Sequence, residues 1–527
     1  MEIKNLKPDL FKIRHLPDKK GDKIKEYTDK DGWYVTNLYY YESILSPYIT
    51  GYITLVSTSD AASNDETNRK EGIFNSLSTD DEILLKIHNL DFSAGKRLVI
   101  DNIQVLKQDS NKQIVQLRFH SKLAVENAKS NVEGNHEGIT SEIAEKILTN
   151  DLKVSNSDVE PSSNTLIING QSKKPFEWLI HLAHQSRPAA TQSKEVNANP
   201  GYFAYETKSG FKFKSIDSLI EQKPIEDYYY DGVYASEYDN SENARDPQKK
   251  IASLKVLKNQ RIVPQIESGM YASKTFFFNP SAYKFTEIDI DVTDEKLVNN
   301  KNLKPLGKEV SVPYEMKMDT GKKYHTIRTS VLDVGGNSQG VVPSKKVEDS
   351  AEMYFAATAT RYNILFSQKW AITIPCNTSL EAGNTLELEI ESLAFCDKEK
   401  GGDQKSNGKY IIESLCHYLD IEKSVTSMQL IRDSYGLGNF TAGEGDSKNS
   451  LLDNVSKKSK EQKSKTQKMV DRDNRVYGNT FPAGSFGITK KSTPTSGLEG
   501  ITNDDVGDAY ANPGSLPGGN DPLGFRK

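Results

Sequence analysis

Between Gln113 and His120 apolar and polar side chains alternate strictly. Val115, Leu117 and Phe119 fall on one face and Gln116, Arg118 and His120 on the other. A period of two marks a half-buried antiparallel strand. Upstream, Leu38 to Val56 is dense in β-formers and punctuated by Pro47 and Gly51. Ile83–Ile87 and Arg97–Leu106 add further strands. Residues 31–124 therefore read as a β-rich domain, preceded by a Lys- and Asp-rich arm over residues 1–30. A second β region follows much later. It comprises Trp370–Ile374, Thr385–Glu391, Gly408–Leu419 and Val425–Arg432.

Between the two regions the period changes. Ile139, Ile143 and Ile147 recur every four residues, with Thr140 or Ser141 able to cap, which predicts an amphipathic helix. A second helix opens at Pro175, a favoured first helical residue. It carries Phe176, Leu179, Ile180 and Ala183 on one stripe and ends before Pro188. Gly201–Ile220 then reads as a complete unit. Tyr202–Thr207 is a strand, Lys208-Ser209-Gly210 a three-residue turn and Phe211–Lys214 the return strand. Ser215 is the N-cap of a short helix bearing Ile216, Leu219 and Ile220. Residues 226–262 are polar and Tyr-rich, with a helical pattern over 246–260. Strands resume over 269–290, and 351–368 fits helix or strand equally.

The resulting expectation is a mainly β chain with an α+β insert. The β-domains span 31–124 and 351–440, with 265–295 able to contribute strands to the second, and the insert spans 125–350. Both β-domains carry an Ala-Gly turn, Ala94-Gly95 and Ala382-Gly383, which suggests duplication. The chain has 527 residues, enough for about three domains. Hydrophobic residues make up 36% and mean hydropathy is −0.63, so polar segments dilute an ordinary core. Residues 441–527, rich in Lys, Ser, Gly and Pro, account for much of this and read as a flexible tail. Its Phe481, Phe486 and Tyr510 are candidate docking anchors. A net charge of −5 argues against broad electrostatic attachment to DNA. Cys376, Cys396 and Cys416 form no CxxC and no disulfide framework, as expected for assembly in a reducing cytoplasm. Met1–Lys20 shows no apolar signal core and no run is long enough to span a membrane, so no stable membrane association is expected.

Candidate chemistry is sparse. His181 and His184 share a helix face, yet no Cys or carboxylate nearby completes a zinc set. No GxSxG elbow, GxGxxG or phosphate-binding loop occurs, and no cofactor or metal is expected. Two acidic ladders stand out. Glu387, Glu389 and Glu391 alternate with Leu386, Leu388 and Ile390; Glu287, Asp289 and Asp291 alternate with Ile288, Ile290 and Val292. Such carboxylates can face water, act as a general acid-base pair, or form a wall that repels passing DNA. Lys457–Lys460 and Lys463–Lys465 are basic clusters whose plain reading is solvated linker.

Several of these stretches carry a resemblance. Tyr-Phe-x-Tyr-Glu-(x)3-Gly-Phe-x-Phe-x-Ser-Ile-(x)2-Leu from Tyr202, Phe176–Ile180, Ser186–Pro188, Gly408–Ile412 and Leu430–Gly436 together resemble the baseplate central hub protein of T-even-like contractile-tailed phages. That hub architecture is shared with type VI secretion spike proteins. The resemblance covers residues 30–440, and the tail departs from it. It implies two tail-tube-like antiparallel β-barrel domains per chain and a homotrimer forming a pseudo-sixfold ring. It also implies a virion protein, not an enzyme. The expected partners are the central spike or tail lysozyme protein, tail-tube or tube-initiator proteins and neighbouring baseplate proteins, with DNA only in passage. On this reading the ladder Glu387, Glu389, Glu391 is a candidate channel lining. Tyr202, Tyr205, Phe211 and Phe213 mark a candidate interface region. A cell-wall glycan hydrolase using the acidic ladders, or a receptor-binding tail protein using the Tyr-rich 226–240 loop, are the alternatives.

Overall fold

Strands from residues 10–121 and 226–432 meet in one continuous sheet. The computed structural model describes residues 9–15, 25–27, 33–58, 77–93, 97–108, 112–170, 172–189, 200–230, 246–259, 261–279, 284–291, 306–307, 326–331, 351–390, 406–420 and 422–434. All of them fall within one unit, residues 1–444.

In chain order the first region holds β1 (Leu10–His15), β2 (Lys25–Tyr27), β3 (Trp33–Ser43), β4 (Thr50–Thr58), β5 (Glu82–Ile87), β6 (Leu90–Asp91), β7 (Leu98–Gln108) and β8 (Lys112–Ser121). The alternation over 113–120 is realised: Val115, Leu117 and Phe119 are buried with Leu38, Tyr40, Ile53 and Leu55 in one core. Burying each such side chain contributes about 2 kcal/mol. Part of the expected N-terminal arm is sheet, because β1 pairs antiparallel with β5 through Leu10–Arg14 and buries Ile13 completely.

The insert follows, with α1 (Lys122–Lys129), β9 (Asn135–Ile139), α2 (Thr140–Lys146) and a π turn at Ile147–Asp151. The expected helix over 139–148 is thus shorter and differently capped. Ile139 ends a strand, and Thr140 and Ser141 sit inside the helix, where they bond Ser162 and Asn164 rather than cap. Next come β10 (Ser157–Val159), β11 (Thr165–Asn169), α3 (Pro175–Gln185), β12 (Tyr202–Thr207), β13 (Gly210–Ser215) and α4 (Ile216–Glu221). Pro175 occupies the start of α3, and the Ser215 hydroxyl accepts from the Ser218 N–H at 3.0 Å as the N-cap. The β12–β13 loop is tighter than expected. Thr207 faces Gly210, leaving only Lys208 and Ser209 between the strands. Gly210 holds φ +141°, and a Cβ there would lie 2.7 Å from the Asn156 carbonyl oxygen, so glycine is required.

The remaining elements are β14 (Glu226–Tyr230), β15 (Ser253–Lys258), α5 (Ile262–Glu267), β16 (Ala272–Asn279), β17 (Lys284–Asp291), β18 (Thr326–Val331), α6 (Ala351–Leu365), β19 (Gln368–Pro375), β20 (Thr385–Ile390), β21 (Gly408–Asp420) and β22 (Ser424–Arg432). The helical pattern over 246–260 gives way to a 3-10 turn at Pro247–Lys249 and then β15. Pairing with β19 overrides the local propensity. β16 and β17 do not join the strands of the 368–432 region. With β18 they form a separate three-stranded sheet.

Two groups of five strands share one topology. In the first, the spatial order is β3-β4-β8-β7-β5; in the second it is β15-β19-β22-β21-β20. Numbered by sequence within each group, both read first, second, fifth, fourth, third, and every neighbouring pair is antiparallel. The fourth strand carries a register shift at the same place in each. It lies between Ile100 and Asn102 in β7 and between Ile412 and Ser414 in β21, just past the residues that pair with the third strand. The residue at that bulge is acidic both times, Asp101 and Glu413. The insert lies between the groups. In the second group, α5, β16–β18 and α6 also separate the first strand from the second.

Candidate assembly junction and acidic strand face

The two five-stranded groups meet edge to edge. One edge of β21 is divided between two partners. Gly408–Ile411 pairs with β20, and after the Glu413 bulge Ser414–Asp420 pairs antiparallel with Ser43–Asn37 of β3. The junction is lined by aromatic rings. Tyr39 packs on Tyr52 at 4.2 Å and on Tyr418 at 4.5 Å between centroids. Glu413 is buried and its carboxylate meets Lys369 Nζ at 2.5 Å.

The β12–β13 hairpin caps this junction through a buried polar cluster. Glu42, on β3, accepts from the Tyr40 hydroxyl at 2.6 Å, the Lys208 N–H at 2.6 Å and the Ala382 N–H at 3.0 Å. Glu381, in the turn before β20, accepts from Ser209 Oγ at 2.7 Å, Lys212 Nζ at 2.7 Å and Thr207 Oγ1 at 3.0 Å. Glu206 accepts from the Ser121 hydroxyl and from the Ile49 N–H at 3.2 Å. Lys208 Nζ donates to the Thr378 carbonyl. One hairpin therefore ties β3, the end of β8 and the turn before β20 together. The electrostatics follow burial. Desolvation pushes the Glu42 carboxyl up against its three donors. Desolvation also works on Glu381, but Lys212, Ser209 and Lys208 outweigh it and hold that carboxyl below its ordinary value. His417, fully buried beside the cluster, is pushed down to about 3 by desolvation and by Lys208.

The aromatic residues of the candidate interface region lie inside the chain. Tyr202, Phe211 and Phe213 belong to the core under α2 and α3. Tyr205 packs with Ile44, Phe203 and Ile431 in another. All four are at most 1% exposed, so their side chains hold this chain's own fold together. What the sequence pattern missed here is the charged set Glu42, Glu206, Lys208, Lys212 and Glu381. Its outermost members, Glu42 and Glu381, are 339 residues apart and the set follows no local spacing; the only signal was a Glu inside an aromatic strand at Tyr40-Tyr-Glu42.

On the acidic ladder, Leu386 and Leu388 point into the core while Glu387 is half-buried and Glu389 exposed. Glu391 lies outside the described residues. β14 runs parallel to β20 and sets Asp227 beside Glu387, adding a carboxylate the sequence pattern did not assign. Burial, then Asp227 and Glu389, raise the Glu387 pKa. Lys249 Nζ bonds Asp227 at 2.6 Å. In the second ladder Glu287 and Asp289 both meet Lys274, and the side chain of Asp291 lies outside the described residues. His181 and His184 do not converge on a site. His181 lies 3.1 Å from Gln185 Nε2, and His184 packs on Tyr362 with centroids 5.0 Å apart. Burial lowers both their pKa values. Among the described residues no group of three His, Cys, Asp or Glu is placed to hold a metal, and no helix is long and apolar enough to cross a membrane. The Lys457–Lys465 clusters, Phe481, Phe486, Tyr510 and most of the Tyr-rich loop lie outside the described residues.

No family profile matches the sequence, and no curated protein matches it. Among solved structures the chain is similar to a tail protein from Neisseria meningitidis MC58, with 8% identity, a TM-score of 0.45 and coverage of 80% of this chain and 96% of that one. It is similar to a 43 kDa tail protein of prophage MuSo2 from Shewanella oneidensis, with 10% identity, a TM-score of 0.43 and coverage of 80% and 98%. It is also similar to a component of the E. coli type VI secretion system, itself described as structurally similar to T4 tail proteins. There the identity is 12%, the TM-score 0.36 and the coverage 81% and 79%. At TM-scores below 0.5 these similarities transfer no activity or partner to this chain.

Proposed function

We propose that this chain is a structural protein of a contractile-tail baseplate: a homotrimeric hub that adapts a sixfold tail tube to a threefold central spike and surrounds the path of the ejected DNA. One observation carries the reading. A single chain contains two five-stranded groups with the same strand order and the same bulge, joined edge to edge by β21 and β3. An object with two equivalent ring-forming units per chain presents six such units when three chains associate. That is the requirement for matching sixfold symmetry to threefold. The insert departs from the repeat, and on this reading its outer surface is where the threefold end and the spike contact are made. Tube and neighbouring baseplate proteins would meet the other face. The role is structural, with association energy rather than bond-making as the mechanism, and the location is the virion tail. The acidic face of β20 is assigned to the channel, where like charge keeps DNA from adhering.

Mass photometry with negative-stain imaging of the purified chain tests this. The expected result is a particle of three times 58.9 kDa with a central hole. A stable monomer at micromolar concentration, with and without a spike protein, overturns it.

A further inference from the structure

We infer that the outer edge of β7 in one chain pairs antiparallel with the outer edge of β15 in the next, reproducing between chains the contact that β21 and β3 make within a chain. This rests on the hub reading and specifies the surface through which that trimer closes.

The built contact joins the fourth strand of the second group to the first strand of the first group. Beyond the Glu413 bulge, β21 offers Ser414–Asp420 to β3. The counterpart of β21 is β7. Beyond its Asp101 bulge, β7 pairs with β8 on one side, and its contact with β5 ends at Val99. The counterpart of β3 is β15, which pairs with β19 and ends the sheet path among the described strands. Each half of the contact is therefore present twice in the chain, and among the described residues one copy of each is engaged.

Exposure separates the engaged copy from the other. On β21 and β3, Leu415, Cys416, His417, Leu419, Leu38 and Tyr40 are at most 5% exposed. On the other pair, Val105 and Leu106 are 49% and 50% exposed, and Val256 and Leu257 are 48% and 41% exposed. Bare apolar residues along a strand edge invite another strand.

The register follows from the bulges. Setting Glu413 on Asp101 places Cys416 on Gln104 and Ile431 on His120. Ile431 pairs with Lys369 and His120 with Thr50, and these face Lys258 and Tyr41 in turn. Within the chain Cys416 pairs with Tyr41. Between chains Gln104 therefore stands opposite Lys258, Val105 meets Leu257 and Leu106 meets Val256, at the points where β7 and β15 each carry a register shift against their inner neighbours. The contact is heterologous, β7 to β15, and cannot satisfy itself in a twofold dimer. It has to propagate, and it closes as a threefold ring when one intrachain and one interchain contact together make a third of a turn with no rise along the axis.

Full-length chain carrying Gln104→Cys and Lys258→Cys together is oxidised and run on a non-reducing gel. Covalent dimers and closed trimers are expected from the double variant, with neither from the single variants, which control for the native cysteines. A faster-migrating, internally linked monomer overturns the proposal. Trimers by mass photometry that yield no covalent species also overturn it and leave the hub reading standing. Monomers by mass photometry refute both. Independently, Val105→Glu should weaken trimer formation at least tenfold, and Leu257→Lys in the same chain should recover most of that loss. The thermal unfolding of the dissociated chain should not change, since both sites are exposed. An unaltered trimer in Val105→Glu overturns the pairing.

Discussion

The residues that decide how the halves of this protein hold together are charged and buried. Glu42, Glu206 and Glu381 come from three separate segments, and each is satisfied by donors from the β12–β13 hairpin or its neighbours. Removing one partner from such a set leaves the others desolvated and unpaired, which typically costs about 3–5 kcal/mol. Glu381→Ala, which strands Lys212, Ser209 and Thr207, should lower the thermal midpoint far more than truncation of the exposed Glu389. Calorimetry of the two variants side by side checks this. His417 adds a pH dependence of definite sign. Its folded pKa of about 3 lies below the ordinary histidine value of 6.5, so the unfolded chain binds the extra proton. Stability is fully present above about pH 6.5 and falls as the pH drops toward 3, by about 1.4 kcal/mol per unit. Between pH 7 and pH 5 the urea midpoint of the native chain should therefore fall, and His417→Gln should flatten that part of the profile. Identical slopes in the two chains would show that His417 is not the group responsible.

At the scale of elements the hairpin is the piece on which the others converge, and its tight loop sets the geometry. Gly210 takes a backbone conformation that L residues rarely adopt and lies against the Asn156 carbonyl. Gly210→Ala should cost about 2 kcal/mol and loosen the hold of Lys208 and Ser209 on Glu42 and Glu381. Limited proteolysis within the hairpin, faster in the variant than in the native chain, is the corresponding readout. This element was legible in the sequence because its signals are local. Alternating aromatics, a glycine at the turn and a serine cap each act within a few residues. β15 was not legible. Its Lys-Val-Leu-Lys stretch is as compatible with a helix as with a strand, and only the distant β19 decides between them. The π turn at Ile147–Asp151 was hidden for a related reason. The four-residue spacing of Ile139, Ile143 and Ile147 is genuine, but the first lies in a strand and the last in the π turn. The Ala-Gly turns were a misleading cue to the repeat, since Ala94-Gly95 precedes a fourth strand and Ala382-Gly383 a third. The bulged fourth strand identifies the equivalence instead.

At the scale of the whole molecule, the repeat and the charge distribution bear on one question: what a ring built from these units would present to DNA. The chain is only mildly acidic overall, at −5, so a repulsive lining has to come from the placement of charge rather than its total. Asp227, Glu387 and Glu389 gather on one face of β14 and β20, and each ring would repeat that face with its symmetry. Lys249 bonds Asp227 at 2.6 Å and Lys409 lies opposite Glu387 on β21, while Glu389 is exposed on the same face of β20. Burial first, and then the neighbouring Asp227 and Glu389 carboxylates, raise the Glu387 pKa. If this face lines the channel, replacing both Glu387 and Glu389 by Lys turns a repelling wall into a retaining one. The assembled native ring should not retain duplex DNA in a low-salt mobility-shift assay, and the double variant should. Because the attraction depends on released counterions, retention by the variant should weaken steeply as salt is raised from 50 to 200 mM. The variant ring must still be trimeric by mass photometry for the comparison to count. Loss of DNA retention on adding salt would separate channel electrostatics from aggregation. A trimeric double variant that ignores DNA at low salt would remove β20 from the channel and point to another face of the sheet.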